Sequence, residues 1–572
     1  MLERKFKFDN TTKIGNIIYV DTTQVNVEIR NENIIPEIVV GHMVSIDTSK
    51  KHIKIIGLIE KVIRKHNEES EDDFECISKD MIKINLIGTF KSTYKSQRNI
   101  FKRGIENFPQ IESFCHIVNR ENLEFFMNIL SENKKDSLHI GTYSIDKTGK
   151  AMLDGDKFFQ RHAAILGSTG SGKSWCVAKI LEKVSQLKYP NIIILDIHGE
   201  YKSLCKNPDA IGKYYKIAGP GDIDEKNEET LFLPYWLLNK EEILAMCLDT
   251  TDQHAINQSA RFIHHTKELK KEKLETEKKE EILKSFTVDS PIPFDFNKLI
   301  EALKEDNERK GAGKNGNPIK GEFEDKLTRF IFRLETKYND KRYGFMFQSP
   351  EECQNYDWFH KLIYKLIGST KKGEGIKIID FSEVPSDILP IITGIIARIL
   401  FDIQIWMKDE DRTPFTLVCD EAHLYLPKKD SANAIEKKSL YNFERIAKEG
   451  RKYGISIVVV SQRPSEVSST ILSQCSNFIV LRLTNDMDKN TIKQLLPDSL
   501  KIILEQLSLL EIGEAIVVGD SILLPSRICL EEPRKKPNSD TKKFWKEWNE
   551  KESSEEKLKK AVEYLRGQNK NN

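Results

Sequence analysis

Residues 163–174 read AAILGSTGSGKS: an apolar run, a glycine-rich turn and a lysine–serine pair. Gly167 to Ser174 match the phosphate-binding pattern G-x4-G-K-[ST] at every position. The apolar run has the length and character of a buried parallel strand, and WCVAKILEKV (175–184) is compatible with a helix. Gly167, Gly170 and Gly172 allow backbone N–H groups to turn inward around phosphate oxygens, and a helix start adds partial positive charge there. In such a cradle Lys173 reaches the β- and γ-phosphates and Ser174 holds Mg²⁺ through its hydroxyl. Ser168, Thr169, Ser171 and Trp175 complete the expected nucleotide-binding stretch.

Outward from this turn the α/β pattern continues. NIIILDIHGE (191–200), TLVCDEAH (416–423), SIVVVSQRP (456–464) and NFIVLRLTN (477–485) supply further short apolar runs suited to a parallel sheet. Asp420-Glu421 at the end of its run has the form of a Walker B pair. Asp420 is placed on the metal and Glu421 as the general base that polarises water. Adjacent carboxylates repel unless a metal or hydrogen-bond donors stabilise them. In SQRP, Gln462 can both donate and accept, which suits sensing a γ-phosphate, whereas Arg463 is equally suited to a structural role. Arg451, in ERIAKEGRKYG (444–454), has two readings: a guanidinium finger acting on a neighbouring subunit, or a cation at a helix C-terminus. Arg161 in QRHAAILG either contacts phosphate in its own chain or caps the strand.

At 572 residues the chain has room for two to four domains. Residues 1–145 are expected to form a small β-barrel: IGNIIYVD, VNVEIR, MVSIDT, HIKIIGLIEKVI and MIKINLIGTF are β-branched runs between polar turns, with Lys65 to Asp73 as a loop. Residues 146–530 form the P-loop core, with a helical insertion at about 240–375. KELKKEKLETEKKEEILK (267–284) alternates charge at i, i+4 and reads as a solvated helix face, and GAGKNGNPIKG (311–321) as a loop. Residues 531–572 read as a charged helical tail whose Phe544, Trp545 and Trp548 dock either on their own domain or on a neighbour.

With 89 Lys+Arg against 88 Asp+Glu, bulk charge excludes a wholly basic nucleic-acid coat. Any nucleic-acid contact must come from a local patch or pore. Nine dispersed cysteines without a CxxC pair argue against a disulfide framework or zinc site and fit a reducing cytoplasm. The most membrane-like run, 389–406, is interrupted by Arg398 and Asp402 and reads as a buried helix.

The chain resembles the HerA branch of the HerA–FtsK superfamily of ring-shaped ATPases. The resemblance rests on RHAAILGSTGSGKS, LDIHGEY (195–201), VCDEAH, residues 447–485 and GEAIVVGD (513–520). It implies a RecA-like core behind an N-terminal barrel, a homohexamer with ATP and Mg²⁺ bound between protomers, and a tail that braces one subunit on the next. By the same resemblance Glu421 is the base, Gln462 the sensor, Arg451 the finger in trans, and Arg161 a phosphate-proximal arginine. Asp196 matches an acidic position of undefined role. The implied activity is ATP-driven translocation on double-stranded DNA beside a separately encoded nuclease or a sirtuin-like or other antiviral effector. The alternative is a ring that mainly scaffolds and regulates such an effector. Lys428, Lys429, Lys371 and Lys372 are candidate pore lysines or plain surface lysines.

Overall fold

The structure is a computed structural model that describes residues 6, 8–66, 78–92, 99–132, 137–144, 147, 149–223, 227–312, 318–369, 373–496, 504–539, 542–552 and 554–567. The described chain forms two compact units. The first holds residues 1–184, 462–465 and 475–534, and the second holds residues 185–461, 466–474 and 535–572.

The first unit opens with seven antiparallel strands: β1 Lys13–Val20, β2 Gln24–Ile29, β3 Met43–Asp47, β4 Ile53–His66, β5 Ser78–Ser92, β6 Asn99–Arg103 and β7 Phe114–Ile117. Their order is β2-β1-β7-β3-β4-β5-β6, and β2 also pairs with β5, so six of the strands close into a barrel and β6 hangs on its edge. Alternation of side chains sends Ile14, Val25, Val27, Val44, Ile46, Ile55, Ile82, Ile84 and Cys115 into one buried core. The expected break at Lys65 comes later, because β4 runs on to His66; the remainder of that loop lies outside the described residues. Helix Arg120–Glu132 then lays Phe126 edge-on against Phe101.

The same unit holds a mixed six-stranded array in the order Ala163–Leu166, Asn477–Leu481, Glu514–Gly519, Ser526–Leu530, Ser137–Tyr143, Lys150–Asp154. The first two run parallel and the rest antiparallel. Helix Lys173–Val184 follows the phosphate-binding turn. Its Lys179, 2% exposed, lies 3.3 Å from both Glu182 and Glu531, and the Arg534 backbone N–H donates to Glu182 at 2.6 Å. The segment after the last strand is thereby clasped to this helix.

The second unit carries six parallel strands in the order Thr230–Leu231, Lys213–Ile217, Ile376–Asp380, Ile192–Asp196, Phe415–Cys419, Ile455–Ser461. The last four of these runs are wholly buried, as expected for strands covered on both faces. Helix Leu389–Trp406 is long and apolar enough to cross a membrane by length and composition, but most of it is buried inside the protein. Gly394 lets helix Ala434–Glu449 approach: a Cβ there would lie 2.6 Å from the Ser439 hydroxyl. The charges in the long helix are paired, Arg398 binding both Glu242 and Asp402.

The insertion is helical, led by Ala255–Thr276, Phe296–Glu308, Thr328–Asn339 and Trp358–Ile367. The charged run at 267–284 is not purely a solvated face. Lys270 is 1% exposed and its ammonium donates to the carbonyls of Val288 and Ser290 at 2.7 and 2.6 Å, with Leu274 buried beside it. The expected loop at 311–321 contains a small hairpin, Gly311–Ala312 with Pro318–Ile319. In the tail, helices Phe544–Glu550 and Glu555–Gly567 bury no residue, and Phe544, Trp545 and Trp548 stay exposed. Docking of these aromatics on their own domain is therefore not what the chain adopts.

Candidate nucleotide site

The P-loop follows the buried strand Ala163–Leu166 directly. Gly170 and Gly172 take φ of +72° and +107°, a backbone that L side chains rarely adopt, and so the motif requires glycine there. Gly167 is needed for space: a Cβ would sit 2.6 Å from the Ser171 hydroxyl and 2.8 Å from Leu481 Cβ. The turn is pinned by backbone bonds from Ser168 to Arg482 (2.8 Å), Ser171 to Ser168 (3.2 Å) and Gly513 to Ser171 (3.2 Å). The Cys176 backbone N–H donates to the Gly172 carbonyl at 2.9 Å, carrying the turn into the helix. Lys173 is largely buried and its Nζ donates to the Ser168 carbonyl at 3.2 Å, curling the side chain over the turn. Ser174 and Trp175 are half-buried, while Thr169 is exposed and its hydroxyl donates to Oε1 of Gln462. Gln462 and the P-loop thus meet within the first unit.

In the second unit the C-terminal ends of the parallel strands gather acids. Asp196 and Asp380 are register partners on neighbouring strands. Asp196, fully buried, accepts backbone N–H bonds from Glu200 (3.0 Å) and Tyr201 (2.9 Å), so it organises the turn that follows its strand. Burial, opposed by those bonds and reinforced by Asp380, pushes its carboxyl up to about 7. Asp380 accepts from Tyr214 Oη (2.7 Å) and from the Ser382 N–H (2.7 Å), and Gly199, at φ +69°, passes close to it.

Asp420 is 4% exposed; burial, then Asp196 and Glu421, hold its carboxyl well above the usual carboxylate range. Such a desolvated acid ionises readily only beside a cation, which fits a divalent-ion ligand. Among the described residues no group of three or more His, Cys, Asp or Glu side chains forms a metal-binding cluster. Glu421 is 9% exposed with φ +42° and ψ +45°, a left-handed backbone uncommon outside glycine and asparagine. Strain of this kind persists only where the surrounding structure holds the residue in place.

Arg451 lies in the one-turn helix Gly450–Tyr453, past the end of helix Ala434–Glu449, with its side chain exposed. Its neighbours Arg445 and Lys448 are paired with Asp402, Glu449 and Glu444. Arg463 is exposed. Arg161 stands at the start of the strand whose far end carries the P-loop, and its guanidinium is paired with Asp520. Its carbonyl accepts the Ser476 N–H at 3.0 Å, so Arg161 is tied to the strand's start on both sides. Lys428 and Lys429 are exposed just after the Walker B strand; Lys371 and Lys372 lie outside the described residues.

Sequence reading missed Asp380, although IKIID (376–380) is an apolar run ending in an acid, as the run ending in Asp196 is. It also missed His423, three residues past Asp420, whose Nδ1 is 3.4 Å from Glu421 Oε2.

Residues 138–400 match the family described as "Helicase HerA, central domain". A probable helicase of Methanocaldococcus jannaschii is 28% identical over 393 residues, 68% of this chain and 66% of that protein. The DNA double-strand break repair helicase HerA of Saccharolobus solfataricus is 27% identical over 415 residues, 71% of each chain. Its namesake in Pyrococcus furiosus is 25% identical over 438 residues, 69% of each. The chain thus spans about two thirds of the length of these relatives. Among solved structures, VirB4 of Thermoanaerobacter pseudethanolicus overlaps at a TM-score of 0.47 with 16% identity, over 70% of this chain and 97% of that one. Sequence match, glycine-built P-loop and acid-tipped parallel strands agree: over residues 138–400 the chain is similar to the central domain of helicase HerA, and it is a HerA-like P-loop ATPase.

Proposed function

We propose that this protein hydrolyses ATP with Mg²⁺ and uses the energy to move along double-stranded DNA as a hexameric ring. The observation that carries the reading is the P-loop itself, with Gly170 and Gly172 in glycine-only backbone, Lys173 folded over the turn and Thr169 tied to Gln462. Gly167 to Trp175 bind the phosphates, and Lys173 neutralises β- and γ-oxygens. Ser174 and Asp420 hold Mg²⁺, which when bound offsets charge on the phosphates. Glu421 takes a proton from the attacking water, and Gln462 orients that water or the γ-phosphate. Arg451, exposed on a turn, reaches the nucleotide of a neighbouring protomer. The relatives in Saccharolobus solfataricus and Pyrococcus furiosus are DNA double-strand break repair helicases, and that supports DNA as the track of this chain.

Lys428 and Lys429 would meet the DNA backbone, so binding would be sequence-independent and weaken steeply with salt. The barrel of strands Lys13 to Ile117 and the exposed tail would then serve assembly. The eight described cysteines are free, which fits a reducing cytoplasm.

A second reading has one observation in its favour. The barrel exposes Tyr19, Phe108, Ile111 and Phe114, at 50, 47, 56 and 42%. An apolar surface of that kind suits a separately encoded nuclease or antiviral effector, with the ring as its scaffold. One experiment separates the readings: ATP turnover with and without long double-stranded DNA, beside Glu421→Gln. Stimulation abolished in Glu421→Gln supports the motor. Turnover indifferent to DNA, with effector capture lost in Tyr19→Glu/Ile111→Glu, supports the scaffold.

A further inference from the structure

The stretch 507–513, LSLLEIG, lies alongside the P-loop and ends against it. The Leu483 N–H donates to the Leu507 carbonyl at 3.2 Å, and the Gly513 N–H donates to the Ser171 carbonyl at 3.2 Å. A Cβ on Gly172 would lie 3.6 Å from the Gly513 nitrogen, so turn and loop are in contact. Leucines anchor the loop from beneath: Leu504 and Leu507 are fully buried and Leu510 is 2% exposed. Its end is tied as well, the Glu511 N–H donating to Glu514 Oε2 and the Leu530 N–H to the Gly513 carbonyl, both at 2.8 Å. Between these anchors Leu509 and Ile512 stand 72% and 70% exposed.

Two aliphatic side chains held out into water on a pinned loop gain free energy when an apolar surface covers them. Their position says what that surface is. The glycine-rich turn takes phosphates through backbone N–H groups and Lys173, and the base of a nucleotide projects past that cradle onto whatever flanks it. Gln462 meets the turn at Thr169, on the side assigned to the γ-phosphate, whereas the 507–513 loop meets it at Ser171 and Gly172. Ile512 is one residue, about 3.8 Å, from that second contact. No atom lies within 4 Å of where a Cβ on Gly513 would stand, so the loop fronts open space there. We infer that Leu509 and Ile512 form an apolar platform for the purine base of the nucleotide whose phosphates the P-loop holds. The inference rests on ATP binding at the P-loop. Aliphatic side chains carry no donor or acceptor, so this platform supplies affinity and leaves the choice between adenine and guanine to other groups.

The test measures binding of two probes by calorimetry with Mg²⁺ present: ADP, and inorganic pyrophosphate, which fills the P-loop without a base. The full chain is compared with Leu509→Ser, Ile512→Ser, Ile512→Phe and Lys173→Ala, and the sedimentation of each protein is recorded. Each serine variant should weaken ADP about tenfold, the worth of one partly covered aliphatic side chain, and leave pyrophosphate unchanged. Ile512→Phe keeps an apolar platform and should hold ADP at least as tightly as the wild type. Unchanged ADP affinity in both serine variants overturns the inference. So does an equal loss of ADP and pyrophosphate, which would mean that the loop only supports the turn. Loss of self-association with ADP binding intact also overturns it, because a second copy of the chain would then cover Leu509 and Ile512. Wild-type binding of both probes by Lys173→Ala would overturn nucleotide binding at the P-loop itself, and the inference with it.

Discussion

The Thr169 hydroxyl donates to the Oε1 oxygen of Gln462, joining the tip of the P-loop to the residue that follows Ser461. The bond fixes the amide's orientation: with the oxygen committed to Thr169, the NH₂ group is the face left to meet a phosphate or water. Thr169→Val should lower kcat about three- to tenfold, and Gln462→Ala by more. The double variant should be no worse than Gln462→Ala alone, since both act through one contact. Additive losses in steady-state turnover would separate the two residues.

Glu421 stores backbone strain of roughly 1–2 kcal/mol in its left-handed conformation. Glu421→Gly removes that strain and one carboxylate beside Asp420, against about 0.5–1 kcal/mol of added chain entropy. The variant should unfold in denaturant at the wild-type midpoint or above it while turnover falls roughly 10²–10⁴-fold. A large loss of stability would mean that the carboxylate supports the fold.

Gly167→Ala should fail for a different reason. Its methyl must displace the Ser171 hydroxyl and the Leu481 side chain, an overpacking that costs about 1–3 kcal/mol. Both the urea midpoint and the affinity for a fluorescent ATP analogue should drop, because Ser171 and Leu481 shape the turn.

Burial lowers the Lys270 ammonium from its ordinary value to about 7. Between pH 7 and 10 the unfolded chain then holds a proton that the folded chain has lost, so stability rises with pH across that window. The full shift is worth roughly 5 kcal/mol. Lys270→Met should flatten this part of the stability profile while leaving the carbonyls of Val288 and Ser290 short of a donor. Denaturant titrations at several pH values read both effects.

Arg451→Ala and Lys173→Ala proteins should each turn over little ATP. Mixed together they should regain activity if the guanidinium of one protomer serves the nucleotide of another. A mixing curve that stays flat would confine Arg451 to its own helix end.

What the sequence displayed is what is local. The strand–turn–helix of 163–184 and the acid pair after Phe415–Cys419 announce themselves because the residues that make the chemistry are neighbours in the chain. Partnerships set by sheet order stay hidden: Asp380 stands beside Asp196 only because strand Ile376–Asp380 pairs with Ile192–Asp196, and nothing in either run names the other. Arg161 shows what strand geometry adds to a position the sequence left with two readings. It is six residues from Gly167, but an extended chain of that length spans about 20 Å, which carries the guanidinium to the far end of the strand and Asp520. Alternating charge around Lys270 likewise conceals which lysine turns inward, since its acceptors come from a later loop.

The clasp on helix Lys173–Val184 has a consequence during biosynthesis. Lys179 and the backbone carbonyl of Glu532 that it reaches are separated by 353 residues, and the strand beside Ala163–Leu166 is Asn477–Leu481. At about 5–20 residues per second, the helix leaves the ribosome roughly 20–70 seconds before its partners exist. Through that interval the buried face of the P-loop helix has only early-made neighbours, and a nascent chain of this kind is a natural client for chaperones that shield apolar surface until the last strands arrive.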